Sequence, residues 1–171
     1  MSVQVQERGH FWEVLVRLEK RAGDIDTYEG GREAFHRDVH PYEVIEVEGN
    51  ILVNAGIQLM LDLLIGAGGT VFSNANARLA VGDGTTAAAA SQTDLVGTNK
   101  TRKAMEATYP SRSGQTLTFR SAFGGSDANH GWKEWAIANA ASGATILNRK
   151  VHDFGTKASG TWTLTATVTI S

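Results

Sequence analysis

The chain has 171 residues, of which 20% are charged and 42% apolar, and its formal net charge is −2. That length suits one domain with a real core and room for an appendage, and the composition is that of a globular protein folding in water. No apolar run approaches the roughly 20 residues needed to cross a bilayer, so no membrane partner is expected. The absence of cysteine excludes disulfides and thiolate metal sites.

Residues 1–9 are polar and lack the apolar core of a signal peptide, which leads to the expectation of synthesis and assembly in a cytoplasm. Charge is unevenly spread: residues 1–50 hold eleven Asp and Glu against six Lys and Arg, a net −5, whereas residues 51–171 hold seven against ten, a net +3. Such asymmetry fits ordinary solvated surface, or an acidic arm docking on a basic face of a neighbouring subunit. The densest basic stretch, Asn99-Lys100-Thr101-Arg102-Lys103, lacks interleaved aromatics and sits in a chain without basic excess, so nucleic acid is not an expected partner.

In chain order, residues 11–18 alternate as a strand with Trp12, Val14, Val16 and Leu18 on one face. Residues 22–40 turn polar, with Gly23, Gly30 and Gly31 as breakers, and read as a long loop or projecting arm before Pro41 and a second extended run at 42–47. Asn54 as N-cap, Ile57, Met60, Leu61 and Leu64 at helical spacing, and Gly66 as terminator predict one helix over 54–65 that packs one apolar face. Gly66-Ala67-Gly68-Gly69 lacks the lysine and hydroxyl of a phosphate loop and follows a helix instead of preceding one. Residues 77–81 alternate weakly as a strand, and a turn at 82–85 leads into an Ala-rich connector.

From residue 117 short strands recur between turns, at 117–123, 132–137, 144–147 and 150–154. The last is the clearest: in residues 161–171, Trp162, Leu164, Ala166, Val168 and Ile170 share one parity and hydroxyl side chains hold the other. This pattern predicts an all-β antiparallel β-sandwich with one short helix and an N-terminal arm, divided into residues 1–49 (strand and extended arm) and 50–171 (sandwich). The expected core is Leu79, Val81, Leu117, Phe119, Trp162, Leu164, Val168 and Ile170.

Candidate chemistry is sparse. His36 and His40 are four apart, but Pro41 follows and no helical pattern surrounds them, which argues for surface histidines. Asp24-Ile25-Asp26 begins like a calcium loop, yet its glycine falls late at Gly30 and the closing acid is missing. Asp127, His130 and Glu134 are near in sequence; His130 reads as a turn residue and Glu134 as a strand residue within reach of Arg149 or Lys150. No serine sits in a nucleophile elbow. No catalytic residue, cofactor or metal ligand is assigned, and the expectation is a non-enzymatic protein.

The succession Asn50-Ile51-Leu52-Val53-Asn54-Ala55-Gly56-Ile57, Leu79-Ala80-Val81-Gly82-Asp83-Gly84 leading to Thr93-Asp94-Leu95, Ala128-Asn129-His130-Gly131-Trp132-Lys133-Glu134-Trp135, Leu147-Asn148-Arg149-Lys150 and Gly155-Thr156-Lys157 resembles structural proteins of tailed-bacteriophage virions over residues 50–171. The resemblance implies a β-sandwich component of capsid exteriors, tails or fibres, without catalytic residues. A protein assembled in the host cytoplasm into the virion is then expected, a homotrimer with phage capsid or tail proteins as partners. A capsid decoration or cement protein is the favoured address. The alternative is a tail, fibre or baseplate component that binds a receptor or glycan, and a small hydrolase is a third possibility that would need convergent acids. Expected contact residues are Phe11, Trp12 and Tyr42 as apolar anchors of the arm, the basic Lys100, Arg102 and Lys103, and Trp132 with Trp135. Strand parity puts the last two on opposite faces, leaving one exposed or buried in a subunit contact.

Overall fold

The structure, a computed structural model, describes residues 12–171; Phe11, expected among the anchors, lies outside the described residues. In chain order the elements are β1 (Glu13–Arg21), α1 (Gly31–Asp38), β2 (Glu43–Glu48), β3 (Ile51–Leu52), α2 (Asn54–Ile65), β4 (Arg78–Gly82), β5 (Lys100–Ala104), β6 (Ser111–Ser113), β7 (Thr116–Phe123), β8 (Gly131–Ala138), β9 (Asn148–Thr156) and β10 (Thr161–Thr169). They build two five-stranded antiparallel sheets, ordered β2-β1-β10-β7-β6 and β3-β9-β8-β4-β5. The two sheets close on one core, as the predicted sandwich requires.

β10 sits at the centre of the first sheet because its inward residues are all apolar. Trp162, Leu164, Ala166 and Val168 are buried, and in register Leu164 lies between Leu18 of β1 and Ser121 of β7. Leu79 and Val81 of β4, Trp132, Trp135 and Ile137 of β8 and Phe154 of β9 meet them from the second sheet. Each such side chain contributes about 1.5–3 kcal/mol on leaving water. Of the eight expected core residues, Leu117 and Ile170 are exposed instead. Leu117 pairs with the fully exposed strand β6, and Ile170 lies beyond the last β10 pair, so both sit at the end of the first sheet.

The N-terminal segment departs most from expectation. β1 is paired on both sides, with β10 and with β2, and residues 13–48 therefore supply two strands of the first sheet instead of a projecting arm. The middle of that segment is ordered too. Gly30 and Gly31, with φ of 101° and 80°, turn the chain into α1, whose Phe35 packs with Ile25 and Ala122 on the outer face of the sheet. Thr161 clamps this layer: its Oγ1 accepts from the Ile25 N–H at 2.9 Å and donates to the Gly23 carbonyl at 3.0 Å. The hydroxyl face of β10 is thus buried at its start, and Thr161 and Thr163 are closed to solvent.

The second sheet is also covered on its outer side. Val53, Leu95 and Ile146 lie with Ala80, Ala136 and Ala138 in a separate apolar cluster beneath the long β4–β5 connection. The expected strand at 144–147 is irregular chain with a single bridge, Ala138 to Ile146. α2 has the predicted bounds and ends at Gly66, but its N-cap is Val53, not Asn54. Gly56 sets how α2 docks, because a Cβ there would lie 2.6 Å from the Leu147 carbonyl oxygen.

Candidate interaction surface

Trp132 and Trp135 are both fully buried, which overturns the expectation that one of them is exposed or lies in a subunit contact. The reason is a β-bulge: the register between β8 and β9 shifts between Trp132 and Glu134. The extra residue returns Trp135 to the same side as Trp132. Trp132 packs edge-on against Phe123 and Trp162, with ring centroids 4.7 and 4.9 Å away, and its indole N–H donates to the Ala128 carbonyl.

The same bulge sends Glu134 outward into a buried polar site. Its carboxylate accepts from Arg149 Nε at 2.7 Å and from the backbone N–H groups of Gly84, Val96 and Gly97. Arg149 also donates to Gln92 Oε1 and to the Thr86 carbonyl. Both ions have zero exposure, so this pair is a staple for residues 83–99.

The basic stretch is ion-paired within the chain. Lys100 and Arg102 both pair with Asp94, and Lys103 pairs with Asp127. Lys157 is buried and donates to the Gly124 carbonyl and to Asn129 Oδ1, holding the β7–β8 turn. Burial pushes its ammonium pKa down, against the opposing pull of Asp127 and Asp24. Asp24 accepts from the Gly125 and Asp26 N–H groups, and the Gly125 bond is the largest influence holding its carboxyl below the usual range.

His36 and His130 are similarly occupied. His36 Nε2 lies 2.8 Å from Glu106 Oε1 and its Nδ1 lies 3.1 Å from Arg120 Nη2. Because the guanidinium can only donate, Nδ1 accepts from it, and Nε2 faces the Glu106 carboxylate as a donor. Burial raises the Glu106 pKa, but the His36 hydrogen bond and the charges of Arg120 and Arg32 outweigh it and hold the carboxyl below its ordinary value. A general base needs one nitrogen facing a reactant; here both nitrogens are engaged. His130 is the same, with Nδ1 facing the Gly131 carbonyl and Nε2 facing Thr101 Oγ1. Asp127, His130 and Glu134 therefore do not converge, and among the described residues no cluster of three metal-ligating side chains occurs.

Of the anchors, Trp12 is half-buried and its indole N–H donates to Asn50 Oδ1, while Tyr42 is exposed beside β2. Trp12 borders a groove of about 710 Å³ with Leu15, Glu48, Asn50 and Thr167. A second groove of about 630 Å³, across Gly49 and Asn50, is lined by Ile51, Ala87, Ala88 and Lys150.

The feature that sequence reasoning missed is the outer side of α2. Ile57, Leu61 and Leu64, expected to face the core, are exposed, and so is Ile65; Gly56 and Leu59 are the buried positions. The signal was present in the sequence: only Asn54, Gln58 and Asp62 are polar in residues 54–65, so the apolar residues spread over more of the helix than a single packed face requires. Compared with family models, curated proteins and solved structures, the chain matches none.

Proposed function

We propose that this chain is a non-enzymatic structural subunit of a tailed-bacteriophage virion, acting by binding other virion proteins, with capsid decoration or cement as its most economical role. The observation that carries a binding role is the exposed apolar side of α2: contiguous apolar surface rimmed by polar residues is a mark of protein–protein contact. The virion assignment rests on the sequence resemblance over residues 50–171. The structural partners of Asp94, Asp127, Glu134 and His36 support binding over turnover. Homo-oligomerisation, as a trimer, belongs to the same proposal. The glycan-binding alternative on a tail loses its principal sugar-stacking platforms, because Trp132 and Trp135 are inside the core.

The test is quantitative mass spectrometry of density-purified particles from the source of this chain. Hundreds of copies per particle are expected for decoration. A few copies would move the protein to the tail, and absence from particles would end the virion reading.

A further inference from the structure

α2 carries two apolar faces, and the fold uses one. Gly56 and Leu59 are buried against the sandwich and Met60 packs on the main core. At about 100° per residue, Ile57, Leu61, Leu64 and Ile65 fall within an arc of roughly 100° on the far side of the helix. Leu61, Leu64 and Ile65 are 56%, 81% and 77% exposed. Val71, shortly after the helix, is exposed as well.

We propose that this outer face is covered by the α2 face of a second copy of the chain. The proposal rests on the reading of the protein as an assembly subunit and names one partner in that assembly.

Three observations select a second copy as the occupant. Ile57, Leu61 and Leu64 are spaced by four and then three residues, the a/d rhythm with which helices pack knobs into holes against their own kind. Charge gives the second. Residues 54–77 contain a single charged side chain, Asp62, and a helical wheel places it about 110° from the centre of that arc. Two such faces meet without like-charge repulsion, whereas the exposed edge strand β2 is lined by Glu43, Glu46 and Glu48, the first two already engaged by Lys20 and Arg17, and offers no comparable apolar face. A lipid surface fits less well, because this helix has no lysine or arginine to hold it at an anionic headgroup layer.

Area is the third. The four helical side chains and Val71 expose on the order of several hundred Å² per copy, a large part of the roughly 800 Å² per partner of a stable interface. The exposed stretch 66–70, small residues ending in Thr70, lies beside them. A closed arrangement about a symmetry axis buries the same patch on every copy and leaves none exposed.

The experiment is sedimentation velocity on the purified full chain at micromolar concentration, beside the double variant Leu61→Glu, Leu64→Glu. Oligomeric wild type and a monomeric variant are expected, with association weakened by at least about tenfold. Circular dichroism and the thermal midpoint of the variant monomer should report an intact sandwich, because both positions point to solvent. Since the chain lacks cysteine, Leu64→Cys gives a second readout: a short bis-maleimide should join two copies through it, and should not join copies of Arg112→Cys on β6. A monomeric wild type, or an oligomer that survives the double substitution, overturns the proposal. So does binding of wild type to phosphatidylcholine vesicles in place of self-association. A monomer that still appears in purified particles would sink this inference and leave the assembly reading standing.

Discussion

Glu134 and Arg149 face each other at 2.7 Å with zero exposure, and between them they hold four separate points of the 83–99 connection: Thr86, Gln92 and the N–H groups of Gly84 and the Val96–Gly97 pair. A long connection without strands normally stays loose. Here a carboxylate satisfies its backbone donors, and an arginine across the bulge balances the carboxylate. Arg149→Ala should therefore cost about 3–5 kcal/mol, since it strands a buried charge. Urea denaturation measures the loss, and limited proteolysis should show new cleavage within residues 83–99. The double variant Glu134→Leu, Arg149→Met should recover much of that stability. An Arg149→Ala protein as stable as wild type would mean that water reaches Glu134.

Leu164 and Leu117 give a matched pair of core tests. Leu164, closed in the centre of the first sheet, should lose about 2–5 kcal/mol on replacement by Ala, because the cavity adds to the lost burial. Leu117 shares the strand alternation but sits at the sheet's exposed end, and its replacement should change stability by less than about 1 kcal/mol. Chemical denaturation of the two variants side by side decides it. Equal losses would show that the end of the sandwich is closed by something beyond this chain.

The sandwich was legible wherever one face of a strand is apolar and the other polar, as in β1, β7 and β10. β5 and β6 were not, because Lys100–Ala104 and Ser111–Ser113 are edge strands held by backbone pairing and ion pairs, with no apolar alternation to announce them. α1 hid for a related reason: Phe35 is its only buried residue, so a polar stretch broken by glycines looked like a loop. Parity also failed at Trp132 and Trp135, since a bulge inserts one residue and no residue type marks it. The Glu134–Arg149 partnership was within reach of sequence reasoning. Its burial was not, because that depends on a connection folding back from 40 residues away.

Removal of residues 1–40 tests the place of β1. With the segment read as an arm, the truncated sandwich would fold; with β1 paired along its length to β10 on one side and β2 on the other, it should not. The deletion takes Val14, Val16 and Leu18 from the core and leaves the inner edge of β10 unpaired. Loss of the cooperative unfolding transition and aggregation on expression are expected. Adding back residues 12–40 as a peptide should restore folding, through strand addition at the β10 edge.

Acid stability should report on Glu106. Its folded-state pKa lies below its unfolded value of about 4.3, so the charged form is the one the fold favours. The stabilisation it contributes is fully present above the unfolded value and is lost as pH falls through the lower folded value. Asp24 adds to the same slope, its carboxyl likewise held below the usual range. Near neutral pH, Glu106→Gln should destabilise the protein, because Arg32, His36 and Arg120 lose the carboxylate they surround. Below about pH 4 the gap between variant and wild type should narrow, since wild type is then losing the same charge. Urea midpoints measured from pH 7 down to the acid transition follow both curves. A difference between them that stays constant across the whole range would mean that Glu106 contributes by packing and hydrogen bonding alone.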